Sequence, residues 1–368
     1  MINGERVRQV RELKGLTQTE FATHLRINQS AVAQIESGRI APSDQVLQRI
    51  ILTTGFPMSF FKQSAPVDFP LGSLLFRARA TVSARERCES LQYTRTIFEI
   101  AEKMEIEIDK IPLRLPRFDQ DPISAAIQTR SSLGLSPDTP ITNLINTVEK
   151  SGVLVMALAK VLEGLDAFSA WVGRSSLRPV IVIANNNVPG DRLRFSVAHE
   201  LGHLVMHQAI KNDIATIERE ASSFASEFLM PKEAMLKEIM RPVTLVNLLP
   251  LKMRWKVSIQ ALIRRAWDLE LITQRQYKYL MQQMSMKGMR KKEPGKVPLE
   301  KPRMISQMAE LIYGIPIDYR KLASEMNVPA QLIKETLEVH AMKNGAVEDD
   351  KIIDGTSNKI VNFRRRGH

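Results

Sequence analysis

The chain has 368 residues, 44% of them hydrophobic, with 52 Lys and Arg against 40 Asp and Glu and a net charge of +12. That length predicts two or three domains, the charge content excludes an integral membrane protein, and no apolar run is long enough to span a bilayer. The single cysteine, Cys88, excludes an internal disulfide, and the amphipathic start Met1–Arg6 lacks a secretory pattern, so a reducing, cytoplasmic setting is expected.

The first helical pattern ends at Gly15, where glycine takes a left-handed cap most easily. Thr17 with Glu20 three residues on is a capping box and predicts a helix over Thr17–His24. A tight turn and a third helix over Gln29–Ser37 follow, closed by Gly38. Phe21, Ala22, Leu25, Ile27, Val32 and Ile35 lock the pair into a helix-turn-helix unit. The residue order of Leu16–Ala22 and Asn28–Gly38 resembles the XRE family of phage-repressor-like domains, over about the first 60 residues. The resemblance implies that the exposed start of the third helix enters the major groove of a double-stranded operator. Gln29, Ser30 and Gln34 would then read bases, Gln18 and Arg39 would contact phosphates, and the protein would bind as a homodimer. Arg26 stands where such domains commonly carry glycine, and a left-handed residue there costs on the order of 1 kcal/mol.

Gly55-Phe56-Pro57 ends the bundle, and residues 66–72, with two prolines and a glycine, read as a linker. A long charged helical pattern covers Ala84–Ile111 before Pro112, Pro116 and Pro122 interrupt it. Helical patterns over Ile123–Leu133 and Ile141–Ser151 precede three strand-like runs, Gly152–Leu158, Ala167–Val172 and Pro179–Ala184. The turn Asn185–Gly190 then leads into a helix carrying His199, Glu200 and His203.

His199 and His203 stand at i and i+4, so one helix face presents both imidazoles to a single Zn²⁺ at about 2 Å, with Glu200 available as general base. A catalytic zinc also needs a third protein ligand and an open position for water. The next helix, about 214–230, buries Ala221, Phe224, Ala225 and Phe228; Glu218 lies about 60° from the centre of that face and Glu220 about 100° away. Glu218 is the expected third ligand and Glu220 the alternative. His207 continues the line without the glycine turn that would return it to the metal, which suits a supporting role.

The segments Arg194–His207 and Glu218–Pro231 resemble the ImmA/IrrE metallopeptidase family. In that family the first Glu of the second segment is the zinc ligand, in line with Glu218. Ser222 replaces the Asn or Asp of many members, which implies weaker support of the ligand. The resemblance spans roughly Phe76–Pro294 and implies a gluzincin-like zinc metalloendopeptidase in which Glu200 takes a proton from the attacking water. Its substrate would be a protein partner such as a repressor, or the chain itself.

Leu251–Leu262, with Ser258 as N-cap, echoes a second helix-turn-helix, and Leu322–Pro329 echoes it more faintly; plain helical packing is the expectation for both. Between Leu251 and Arg303 there are 14 Lys and Arg against 4 Asp and Glu, which suits either a polyanion contact or a solvated surface.

The expected fold is α+β and mostly α. It comprises a five-helix repressor-like bundle (1–64), a linker with a connecting helix (65–117) and a zincin-like domain with the HExxH helix (118–240). A helix-turn-helix-like extension (241–293), a small helical segment (294–343) and a disordered basic tail (344–368) follow. The expected function is a DNA-binding transcriptional regulator with a peptidase domain and no membrane partner. The alternatives are a non-catalytic metal or ligand sensor and an antitoxin-like regulator.

Overall fold

Five helices open the chain: α1 (Gly4–Leu13), α2 (Gln18–Leu25), α3 (Gln29–Glu36), α4 (Asp44–Thr54) and α5 (Met58–Phe61). Each of the first four begins at a polar residue, Asn3, Thr17, Asn28 or Ser43, whose side chain accepts a backbone N–H of its first turn. The box of Thr17 and Glu20 forms as the sequence predicts, and Arg26 takes the left-handed conformation at φ 54° and ψ 45°. Val7, Val10, Phe21, Leu25, Val32, Ile35, Ile50 and Phe60 fill the middle of the bundle. The computed structural model describes residues 1–69, 82–109, 111–118, 121–162, 164–173, 177–207 and 213–340, together with Phe363 and Arg365. Part of the expected linker, and all of the expected tail but those last two residues, lie outside them.

Helix α6 (Ala84–Met104) closes the open side of the bundle rather than standing apart from it. Arg6 donates to Glu99 at 2.6 Å, Gln9 Nε2 to Thr96 Oγ1 at 3.2 Å, and Gln92 Nε2 to Glu12 Oε2 at 2.7 Å. Arg6, Gln9, Glu12, Gln92 and Thr96 are all buried. A cut between α5 and α6 therefore uncovers a row of desolvated polar groups, of the kind that is expensive to leave unpaired.

Helices α7 (Pro122–Ser132) and α8 (Leu144–Lys150) precede strands β1 (Leu154–Ala157), β2 (Ala167–Val172) and β3 (Arg178–Ile183). The sheet order is β1-β3-β2, with β1 parallel to β3 and β2 antiparallel to it. Side chains alternate across the pleat. Leu154, Met156, Phe168, Ala170, Val180 and Val182 join the core that holds α6 and the N-terminal bundle. Val155, Ala157, Ile181 and Ile183 join a second core on the other face. The sheet is thus a wall between two cores, with Phe69 reaching Phe98 of α6 and Phe168 of β2 at 6.4 Å each between ring centroids.

On the second face lie α9 (Gly190–Met206), α10 (Ile214–Leu229), α11 (Lys232–Glu238), α12 (Leu245–Trp255), α13 (Ile259–Asp268) and α14 (Gln274–Met286). Helices α9 and α10 approach closely because Gly202 has no side chain: a Cβ there would lie 2.9 Å from the Phe224 ring. Residues 293–303 strap the start of α9. Lys252 joins Asp191 of α9 to Glu293 at 2.6 and 2.8 Å, and Arg194 pairs with Glu300.

The chain then returns to the first core as α15 (Met304–Tyr313), α16 (Tyr319–Met326) and α17 (Ala330–His340). Glu149 of α8 caps α15 by accepting the N–H groups of Arg303 and Met304, and burial pushes its carboxyl up to about 8. His340 is fully buried. Its Nδ1–H donates to the Thr336 carbonyl at 2.6 Å and its Nε2 accepts the Ala157 N–H at 3.1 Å, which ties α17 to the outer edge of β1. Burial holds this imidazole neutral and pushes its pKa down from 6.5 to about 4.

A histidine with a depressed folded pKa contributes stability that is fully present above about pH 6.5 and is lost as the pH falls towards about 4. The expected loss is about 3 kcal/mol at most. Denaturant unfolding of wild type and His340→Gln across pH 7.5 to 4 checks this. The stability advantage of wild type should shrink over that window, while Glu149, common to both, cancels. A constant advantage would show that His340 is not the titrating group.

Candidate metal centre and nucleic-acid interface

The exposed start of α3 carries Gln29 and Ser30, and Gln34 lies one turn further on the same open surface; Arg39 is exposed just beyond. Gln29 Nε2 donates to Gln18 Oε1 at 2.7 Å, and Gln18 Nε2 donates to Glu36 Oε2 at 2.8 Å. Glu36 is itself buried and clamped by Arg11 at 2.5 and 3.1 Å. The five sequence-predicted residues therefore fall into two roles. Gln29, Ser30, Gln34 and Arg39 face solvent, whereas half-buried Gln18 braces Gln29 from α2. In the turn between the helices Arg26 and Asn28 are exposed and Ile27 is half-buried.

The two echoes of this unit share its turn. Lys256 between α12 and α13 (φ 53°) and Asn327 between α16 and α17 (φ 58°) take the left-handed conformation that Arg26 takes, each followed by a buried valine. Their second helices differ in what they leave open. At α13, Ile259 is fully buried, and the N–H groups of Ile259 and Gln260 are taken by Glu293 at 2.7 and 3.1 Å. A carboxylate thus sits where a reading helix would present its N-terminus to DNA. At α17 the exposed face carries Glu335, Glu338 and a single cation, Lys334, which Glu338 neutralises at 3.9 Å, so the face offers no net positive charge to a phosphate backbone.

The metal-site residues come together where α9 and α10 touch. His199 Nε2 and His203 Nε2 are 3.0 Å apart; Glu218 Oε2 lies 3.2 Å from the first and Glu218 Oε1 3.4 Å from the second. Two ring nitrogens and a carboxylate form the one group with metal-ligating geometry found among the described residues. Four ligands about 2.0–2.1 Å from a tetrahedral zinc stand about 3.3 Å from one another, so these separations fit the ion. The outward nitrogens fit it too. His199 Nδ1 meets Ser222 Oγ at 3.3 Å and His203 Nδ1 meets His207 Nδ1 at 2.9 Å. Both imidazoles can carry their proton on Nδ1 and aim the Nε2 lone pair inward, as a metal requires.

The alternative ligand, Glu220, is not in the group. It accepts from His207 Nε2 at 2.9 Å and so ends a chain that runs from His203 through His207. Ser222 lies against His199 rather than Glu218. Glu200, next to His199, turns away from α10 towards the sheet, is 3% exposed, and accepts from Ser169 Oγ of β2 at 2.6 Å. Two residues further along β2, the Trp171 indole N–H donates to the Leu204 carbonyl at 3.3 Å, and the Arg117 guanidinium lies over its ring at 5.1 Å. Ser169, Trp171 and Arg117 went unnoticed in the sequence because nothing local marks a strand serine that meets a helix 31 residues later.

Comparison with known proteins matches both regions. Residues 7–61 match the helix-turn-helix family, and residues 148–266 match a peptidase family described as the IrrE N-terminal-like domain. No curated protein matches the chain. Among solved structures, Bacillus thuringiensis PlcR in complex with the peptide PapR7 and DNA aligns with 92% of each chain covered, at 10% identity and a TM-score of 0.16, a score too low to carry an argument. With one family on the α2–α3 unit and the other spanning the sheet, α9 and α10, the chain is a fusion of an XRE-type helix-turn-helix domain with an ImmA/IrrE-like domain.

Proposed function

We propose that this protein is a transcriptional regulator that binds double-stranded DNA through α2 and α3 and hydrolyses a peptide bond of a protein partner, such as a repressor, at a zinc ion held by His199, His203 and Glu218. The observation that carries the reading is the convergence of those three side chains with Glu200 next in sequence to the first. Zinc, when bound, supplies a Lewis acid for the scissile carbonyl and lowers the pKa of the attacking water. Glu200 takes that water's proton and returns it to the leaving amine, and Ser169 fixes the direction of the carboxylate that does so. His207 and Glu220 hold His203, and Ser222 holds His199, so neither imidazole has to reorient when the ion arrives. The reading is tested by incubating the zinc-loaded chain with candidate repressors and following their fragments by mass spectrometry. The intact mass of the chain incubated alone reports self-cleavage.

On the DNA side, Gln29 and Gln34 offer amides that pair with adenine, and Ser30 a hydroxyl. Gln29→Ala or Gln34→Ala is expected to cost about 1–3 kcal/mol at the preferred operator and to leave binding to random duplex nearly unchanged. Competition binding against both DNAs reads the difference; equal losses on the two would mean that these side chains do not read sequence. Two half-sites related by approximate symmetry are expected, since repressor-like domains pair on DNA.

A further inference from the structure

Between Leu251 and Arg303 Glu293 and Glu300 are half-buried, Asp268 and Glu270 are exposed, and most of the bases lie outside. Glu293 is held by Lys252 and caps α13, while Glu300 pairs with Arg194 and accepts the Ile145 N–H. Asp268 is occupied by Arg264 at 2.9 Å, and Arg265 is buried against Glu227. Arg275 and Lys278 of α14 remain exposed, with Lys287, Arg290, Lys291, Lys292 and Lys296 in the turn that follows. Among the described residues none of these seven enters an ion pair. Glu270, before α14, is the one exposed acid of the stretch without an ion pair there. Seven exposed, unpaired cations thus stand against one exposed, unpaired acid in this stretch, an uncompensated cationic surface.

We propose that α14 and residues 287–296 hold the phosphate backbone of duplex DNA outside the stretch read by α3. The proposal rests on the DNA-binding reading of the N-terminal unit. Two observations decide the kind of contact. Helix α13 cannot enter a groove, because Glu293 occupies its N-terminus and Ile259 is buried, so the face has cations but no base-reading element. A bilayer-binding helix would expose a broad apolar face, whereas α14 exposes Tyr279 and Met286 among Arg275, Lys278 and Gln282. Helix α14 packs in the core across the sheet from the N-terminal bundle, so its cations form a surface separate from that of the α2–α3 unit.

The test is the salt dependence of binding of the full chain to a 40-bp random duplex. The variant is the quadruple Lys287→Gln, Arg290→Gln, Lys291→Gln and Lys292→Gln, with Arg275→Gln plus Lys278→Gln as a second variant should circular dichroism show the first to be unfolded. Each phosphate contact contributes about 0.9 to the slope of log K against log salt, so the quadruple variant should flatten that slope by about 2 to 4. Its preference for operator over random DNA should be retained. An unchanged slope overturns the proposal. So does a variant that loses only its binding to phosphatidylserine vesicles, which would assign the face to a lipid surface. If Gln34→Ala loses operator preference while the quadruple variant keeps its slope, the DNA reading of α3 stands and this proposal alone falls. A wild type that binds no duplex overturns both.

Discussion

Glu200→Gln is expected to remove peptide hydrolysis, by at least about 10²–10⁴-fold, while zinc content, fold and operator affinity stay as in wild type. The amide cannot take a proton from water at neutral pH, and that is the whole of the expected loss. Glu200 is not among the converging ligand atoms, so the ion should remain. Gln also matches Glu in size, and its Oε1 can still accept from Ser169 Oγ, so the packing of α9 on β2 should be kept. Ser169→Ala supplies a graded companion: the base is present without its Ser169 donor, and the loss of turnover should fall well short of that in Glu200→Gln. The measurement is cleavage of a partner protein by mass spectrometry, with metal content and operator binding determined on the same preparation. Regulation in cells then separates the enzyme from a pure binding protein. If Glu200→Gln regulates normally while Gln34→Ala does not, hydrolysis is not how this protein works.

The second large effect concerns the metal. One zinc per chain is expected, and His203→Ala should abolish tight binding, because His203 would supply one ligand nitrogen and also ends the chain from Glu220. Glu218→Gln should weaken binding strongly, since a neutral amide is a poor ligand beside a carboxylate. Glu220→Gln should act through His207 and cost about 10–100-fold, less than either ligand substitution. Competition with a chelator measures all three without reference to activity. If Glu220→Gln proves worse than Glu218→Gln, the two glutamates have been assigned the wrong way round and the zinc site itself survives.

How much of this was legible beforehand depends on the range of the interactions. The capping box at Thr17, the left-handed Arg26 and the pairing of His199 with His203 are set by residues three or four apart, where helix geometry alone dictates who meets whom. The ordering of Glu218 ahead of Glu220 also came from a helical wheel, since α10 packs on α9 through the face marked by Ala221 and Phe224. Periodicity likewise placed the three strands.

Other features depend on which elements pack together. No local pattern says that α6 lies on α1, yet Arg6, Gln9 and Glu12 find their partners only there. Nothing in the order of residues 251–303 says which charges face inward; Lys252 is distinguished from the other bases only by the packing that encloses it between Asp191 and Glu293. The α13 echo shares its turn with the α2–α3 unit, and only the arrival of Glu293 from 34 residues away closes its N-terminus. Helix propensity, capping and i, i+4 neighbours are encoded within a turn or two of chain, so the amino-acid order alone determined the helix-turn-helix and the HExxH face. The partners of Glu200, Glu220 and Glu293 are chosen by packing, because elements distant in sequence bring the donors to them, and buried Glu200 in particular must be satisfied by whatever donor the assembled core supplies.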